Sequence, residues 1–288
     1  MTFLRGLAAR ARGRAIEVKS DDELAAMRVA GLLVADALDA VRDAVRPGIS
    51  TAELDRVAET VIRDGGGTPS FLGYQGFTGS ICASVNDEVV HGIPRPDKKL
   101  AAGDLLSIDC GAVVDGWHGD SAVTVGVGDI AAEHAALLAV TEDAMWAGIA
   151  AGVAGARLSD ISHAIEACVE QWDAAHGREY GIVEQYGGHG IGTAMHQDPH
   201  ILNYGRPGKG PRLRPGMALA IEPMLTLGNP DTRELADGWT VITRDGSAAA
   251  HFEHSYAVTG SGPWVLTARD GGRVALGARG VAVSALAG

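Results

Sequence analysis

Residues 105–125 read Leu-Leu-Ser-Ile-Asp-Cys-Gly-Ala-Val-Val-Asp-Gly-Trp-His-Gly-Asp-Ser-Ala-Val-Thr-Val, two β-like runs joined by Asp115-Gly116. Asp-Gly between apolar runs is the sequence of a two-residue hairpin turn. With that turn Val114 faces Trp117, the numbers of facing residues sum to 231, and Asp109 faces Ala122. Asp120 is two residues from Ala122 and so shares a face with Asp109. Such diagonal neighbours are roughly 7 Å apart at the backbone. Two carboxylates held this way repel each other unless a cation or a proton lies between them. A lone aspartate is usually a solvated surface residue, and a facing pair inside two strands fits that pattern at most half as often.

Outward from the hairpin, the chain repeats a plan. Ser20-Asp21-Asp22-Glu23 is a capping box, followed at helical spacing by Leu24, Met27, Gly31, Val34, Leu38 and Val41. Arg46-Pro47-Gly48 breaks that helix. Thr51 opens another, with Leu54, Val57, Ala58, Val61 and Ile62 apolar, and Gly65-Gly66-Gly67 closes it. Residues 131–150 and 158–172 again read as helices about the break at 152–155. At an offset of 107, Gly48 matches Gly155, Leu54 matches Ile161, Ala58 matches Ile165 and Glu59 matches Glu166. Short β-like runs follow each pair: 81–85, 105–109 and 122–125, then 218–222, 240–243 and 251–258. The expectation is a mixed α/β (α+β) chain of two helix-helix-sheet halves with a site between them. Residues 1–19 read as a basic tail and 20–288 as a single unit, since no long polar linker divides them.

Further groups with chemistry sit in the second half. His189 lies in Gly188-His189-Gly190-Ile191-Gly192, whose spacing is neither that of a dinucleotide loop nor of a P-loop. Flanking glycines leave its ring accessible from both sides, and His196 follows seven residues later. Glu222 and Glu253 stand in apolar strand-like runs, Ala220-Ile221-Glu222-Pro223 and His251-Phe252-Glu253-His254. A glutamate buried without a partner is costly, so such residues pair or bind metal. Asp109, Asp120, His189, Glu222 and Glu253 together offer four carboxylates and one imidazole, a set suited to two divalent cations among Mn²⁺, Fe²⁺, Co²⁺ and Zn²⁺.

Bulk properties exclude several classes. Net charge is −12 from 24 basic and 36 acidic residues, which argues against a protein that grips phosphate backbones. Three cysteines without a CxxC pair fit neither a disulfide framework nor a thiolate zinc site. Arginines interrupt the first residues before a signal-peptide apolar run can form, and no apolar run is long enough for a membrane span. A cytoplasmic protein is expected.

In order and spacing, several stretches resemble the type I methionine aminopeptidases. They are residues 84–94 (Ser-Val-Asn-Asp-Glu-Val-Val-His-Gly-Ile-Pro), Ser107-Ile108-Asp109, Gly116-Trp117-His118-Gly119-Asp120, Gly188 to Gly192, Ile221-Glu222-Pro223-Met224 and Glu253-His254. The resemblance runs from about Ser20 to Val258. It implies the pita-bread fold, two pseudo-symmetric halves around a central antiparallel sheet. It also implies that the five residues above hold the metals, Asp120 and Glu253 bridging, and that hydroxide activated at this dinuclear centre attacks the scissile carbonyl. Glu222 is then the proton carrier, while His91 and His196 contact substrate and stabilise the reacting carbonyl or leaving amide. The methionine pocket falls to Phe71, Tyr74, Phe77, Cys82, Met195 and Trp239. Phe71, Phe77 and Met195 stand where relatives often have cysteine, tyrosine and phenylalanine, which bears on fine selectivity. The implied substrates are the N-termini of nascent polypeptides with a small second residue, met by a monomer that touches the ribosome transiently.

Proline-specific peptidases of the same fold usually carry a sizeable extra N-terminal domain, whereas about 20 residues precede the first helix here. Type II methionine aminopeptidases carry a helical insertion for which the 25 residues between His196 and Glu222 leave no room. Non-catalytic relatives that bind nucleic acid or histones lose metal ligands that this chain retains.

Overall fold

The computed structural model describes residues 16–287. Arg5, Arg10, Arg12 and Arg14 of the expected tail lie outside the described residues. Lys19 does not belong to a solvated tail: it is 5% exposed, and its Nζ donates to the carbonyl of Ile191 at 2.6 Å.

Helix α1 (Asp21–Ala44) starts at Ser20, whose hydroxyl and backbone exchange the two capping-box bonds with Glu23. Helix α2 (Thr51–Asp64) starts in the same way at Ser50 with Glu53. Strands β1 (Thr68–Pro69), β2 (Ile81–Val85), β3 (Glu88–Val90), β4 (Leu105–Val114) and β5 (Trp117–Gly126) complete the first half. The second half opens with α3 (Ala132–Ala151) and α4 (Leu158–His176), then β6 (Gly181–Ile182), β7 (Gly188–Gly190), β8 (Gln197–Ile201), β9 (Ala218–Ile221) and β10 (Met224–Thr226). After β11 (Thr232–Glu234), β12 (Val241–Thr243), β13 (Ala249–His251), β14 (Glu253–Thr259) and β15 (Gly262–Val265), a short α5 (Arg273–Ala278) follows. The repeat holds in detail: Gly48 and Gly155 have φ of 88° and 91°, and Leu54, Ile161, Ala58 and Ile165 are all fully buried.

The main sheet runs β1-β4-β5-β14-β9-β7-β8, with β2 added on β4 and β15 on β14. Every pairing in it is antiparallel. The hairpin register is the expected one, with Val114 opposite Trp117 and Asp109 opposite Ala122. Alternation then divides the sheet into two faces. Ile108 and Cys110 of β4 turn towards the core formed with α1 and α2, whereas Leu219, Ile221, Tyr256 and Val258 turn towards the core formed with α3 and α4. The opposite face carries Asp109, Asp120, Ala122 and Glu253. Helix α1 lies against β5 because two glycines meet there: a Cβ on Gly119 would fall 2.7 Å from the backbone nitrogen of Gly31.

Candidate metal centre and binding cavity

The sheet register sets the acidic residues in a row. Asp109 on β4 faces Ala122 on β5, Ala122 faces Glu253 on β14, and His254 faces Ile221, so Glu222 leaves β9 beside Glu253. His189 on β7 faces Ala220 and completes the row from the other side. Its two glycine neighbours are required. A Cβ on Gly188 would lie 2.3 Å from the Ala220 carbonyl oxygen, and one on Gly190 would lie 2.2 Å from that of Asp198. The histidine strand can approach the sheet only without those side chains.

His189 donates through Nδ1 to the carbonyl of Gly190 at 2.9 Å, which leaves the Nε2 lone pair facing Glu222 Oε1 at 3.4 Å. This is the tautomer a metal ligand needs. Ligand atoms of Asp120, His189 and Glu253 lie within 4.8 Å of one another, and so do those of Glu222, His251 and Glu253. Buried Asp109 Oδ1, Asp120 Oδ1 and Glu253 Oε1 have no hydrogen-bond partner among the described residues. Orphaned buried oxygens are rare, and oxygen donors converging beside a free imidazole nitrogen fit a divalent cation.

Electrostatics agree with that fit. Burial pushes the Asp109 carboxyl up to about 7. Asp120 is raised by burial, then by the charges of Glu253 and Asp109. Glu222 is raised by burial and by both aspartates, and Glu253 by burial, Glu222 and Asp109. With no cation the four acids resist ionising together, and positive charge among them relieves both burial and repulsion. The histidines shift the other way: burial lowers His91 and His189 to about 4 and holds His196 well below its ordinary value. All three are neutral at pH 7.

One cavity is lined by all thirteen residues singled out in the sequence, from Phe71 to Glu253. Its apolar wall is Phe71, Phe77, Cys82 and Met195, with Tyr74 and Trp239 packed against them. Phe77 and Trp239 meet edge to face at 5.0 Å between ring centroids. Tyr74 and His196 share a hydrogen bond of 3.1 Å between hydroxyl and Nδ1, and the His196 ring stands 4.5 Å from that of His189. His91 follows β3 with φ of 60°, an unusual conformation for a side chain of this size, of the kind that collects at functional sites.

Two residues near the centre carried no such reading in the sequence. His251 places Nε2 3.8 Å from Glu222 Oε2 and 3.9 Å from Glu253 Oε2. Strand alternation could have found it, since it precedes Glu253 by two. Lys19 holds the carbonyl of Ile191, at the start of the loop that bears Met195 and His196. Glu17 beside it accepts from Thr193 Oγ1 at 3.2 Å and from Gln197 Nε2. Nothing local in the sequence signals that contact.

Residues 25–260 match the metallopeptidase family M24. The chain is 56% identical over 260 residues to methionine aminopeptidase 1 of Mycobacterium tuberculosis, covering 90% of this chain and 98% of that one. The crystal structure of methionine aminopeptidase from Rickettsia prowazekii superposes with a TM-score of 0.84 at 42% identity, covering 88% of this chain and all of that one. The prolidase from Pyrococcus furiosus superposes with a TM-score of 0.70 at 19% identity over 87% of this chain and 65% of that one, a likeness of fold alone.

Proposed function

The chain belongs to metallopeptidase family M24, and from that premise we propose that it releases the N-terminal methionine of polypeptides whose second residue is small. It has the pita-bread fold and is a metal-dependent hydrolase of the methionine aminopeptidase type. A proline-specific activity is not favoured, because the relatives at 42% and 56% identity are methionine aminopeptidases. The single observation that carries the reading is the juxtaposition of a buried acidic cluster with an apolar cavity.

In this reading Asp109, Asp120, His189, Glu222 and Glu253 would hold two divalent cations drawn from Mn²⁺, Fe²⁺, Co²⁺ and Zn²⁺. Such cations supply Lewis acidity and acidify water. The protein's own groups do the rest. Glu222 carries the proton from the attacking water to the leaving amine, as a carboxyl at the wall of the cavity can. Neutral His196 and His91 donate hydrogen bonds to the reacting carbonyl and the leaving amide. Phe71, Tyr74, Phe77, Cys82, Met195 and Trp239 take the thioether side chain, and flexible Met195 packs against it. Substrates are the N-termini of nascent chains, reached in the cytosol by a monomer that meets the ribosome transiently. The catalytic unit runs to residue 288 and includes Glu17 and Lys19 as well as residues from 20 onward.

Paired variants test this reading. Glu253→Ala and Asp120→Asn should each lose bound Mn²⁺, read by elemental analysis, together with methionine release from Met-Ala-Ser. A fully active variant that needs no metal would overturn it.

A further inference from the structure

Glu222 lies between two imidazoles. Its Oε1 faces His189 Nε2 at 3.4 Å and its Oε2 faces His251 Nε2 at 3.8 Å. The same His251 nitrogen is 3.9 Å from Glu253 Oε2. His251 is 2% exposed, and its Nε2 has no hydrogen-bond partner among the described residues. A buried ring nitrogen without a partner is unusual enough to need a reason. Here the two groups in front of it are carboxylates of the acidic cluster.

The backbone of His251 is fixed from both sides. Thr124 Oγ1 accepts from its N–H and donates to its carbonyl, each at 2.8 Å. A hydroxyl has one proton, so in the 2.8 Å bond between Ser107 and Thr124 it is Ser107 that donates. On the other side His251 pairs with Met224, two residues beyond Glu222. The ring therefore projects from a clamped strand end onto the outer oxygens of Glu222 and Glu253, away from His189.

We propose that His251 is a positioning residue of the metal centre, its Nε2–H donating to the outer oxygens of Glu222 and Glu253 so that their inner oxygens face the cations. The inference rests on the reading of these glutamates as metal ligands. The present separations exceed a hydrogen bond by less than 1 Å, and rotation of either carboxylate shortens them. A hydrogen bond of this kind fixes the orientation of a ligand, and loss of such a partner typically weakens metal binding by about 10–100-fold.

The test is calorimetric titration of metal-free protein with Mn²⁺, comparing wild type, His251→Phe and His251→Gln. Phenylalanine keeps the bulk without a donor, and glutamine keeps a donor without the ring. Circular dichroism checks folding, and His251→Met replaces His251→Phe should that ring not fit. The expected result is affinity weakened about 10–100-fold in His251→Phe and largely recovered in His251→Gln. Equal affinity in wild type and His251→Phe overturns the inference. So does nitrogen pulsed EPR of a bound paramagnetic ion that counts one coordinated imidazole fewer in His251→Gln, since His251 would then be a ligand itself. Wild-type protein that binds no divalent cation overturns the metal reading along with this one.

Discussion

His189 Nε2 stands 3.4 Å from Glu222 Oε1, while its Nδ1 is committed to the carbonyl of Gly190. The ring nitrogen thus turns a lone pair towards an oxygen, an arrangement that is stable only with a proton or a cation between them. Replacement of His189 by Ala should weaken binding of a divalent cation while Glu222 stays in place. We expect methionine release to fall by at least about 100-fold, in keeping with the several kcal/mol that metal-assisted charge stabilisation supplies. Titration of the metal-free variant checks this, and unchanged affinity would remove His189 from the ligand set.

Stability of the metal-free protein should depend on pH in a direction set by the acids. Asp109, Asp120, Glu222 and Glu253 are raised in the folded state, so the folded protein binds more protons than the unfolded one between the two values. Their contribution is present below the ordinary carboxylate range and lost as pH rises through about 7, where Asp109 titrates. The buried histidines act oppositely but only below their ordinary value of 6.5. Above pH 6.5 these histidines no longer offset the acids, and the Tm of metal-free protein should fall towards pH 8. With Mn²⁺ bound, that fall should vanish. Calorimetry with and without chelator decides, and parallel curves would contradict the account.

Lys19 ties the chain ahead of α1 to the loop of Met195 and His196. Burial lowers its pKa, with Glu17 and Glu23 opposing the shift. Lys19→Met keeps the length but leaves the Ile191 carbonyl without its 2.6 Å donor. Loss of such a bond costs about 1–3 kcal/mol, and displacement of His196 by 1 Å can slow the reaction by roughly 100-fold. The expected signature is reduced methionine release with unchanged Mn²⁺ affinity. Equal kinetics with a lower Tm would make Lys19 a purely structural residue.

Much of this was legible because β-structure has a strict period. The Asp115-Gly116 turn determined the register of β4 on β5, and with it the common face of Asp109 and Asp120. Capping chemistry located the start of α1. Less legible were features decided at long range. Glu222 reads as part of a strand but follows the end of β9 at Ile221, and the run expected over 251–258 is divided at Phe252 between β13 and β14. Helix α4 extends to His176, past the expected end at Trp172, with the His176 ring stacked on Trp172 at 4.6 Å. Lys19 looked like one more charge in a basic tail because its partner is 172 residues away.

Glycine at 190 should be irreplaceable for packing reasons alone. Gly190→Ala sets a methyl group 2.2 Å from the Asp198 carbonyl oxygen, so β7 must move away from β8. Overpacking of this kind costs typically about 1–3 kcal/mol, and the shift carries His189 with it. Both Tm and Mn²⁺ affinity should drop. A variant with wild-type values would mean that the β7–β8 seam yields without disturbing the histidine.

The most direct measurement is hydrolysis of Met-Ala-Ser and Ala-Pro-Ala by metal-stripped protein, with Mn²⁺, Fe²⁺, Co²⁺ or Zn²⁺ added back singly. The account predicts no activity without metal and restored release of methionine from Met-Ala-Ser alone. Cleavage only of the peptide with proline at its second position, or silence with every cation, would contradict it.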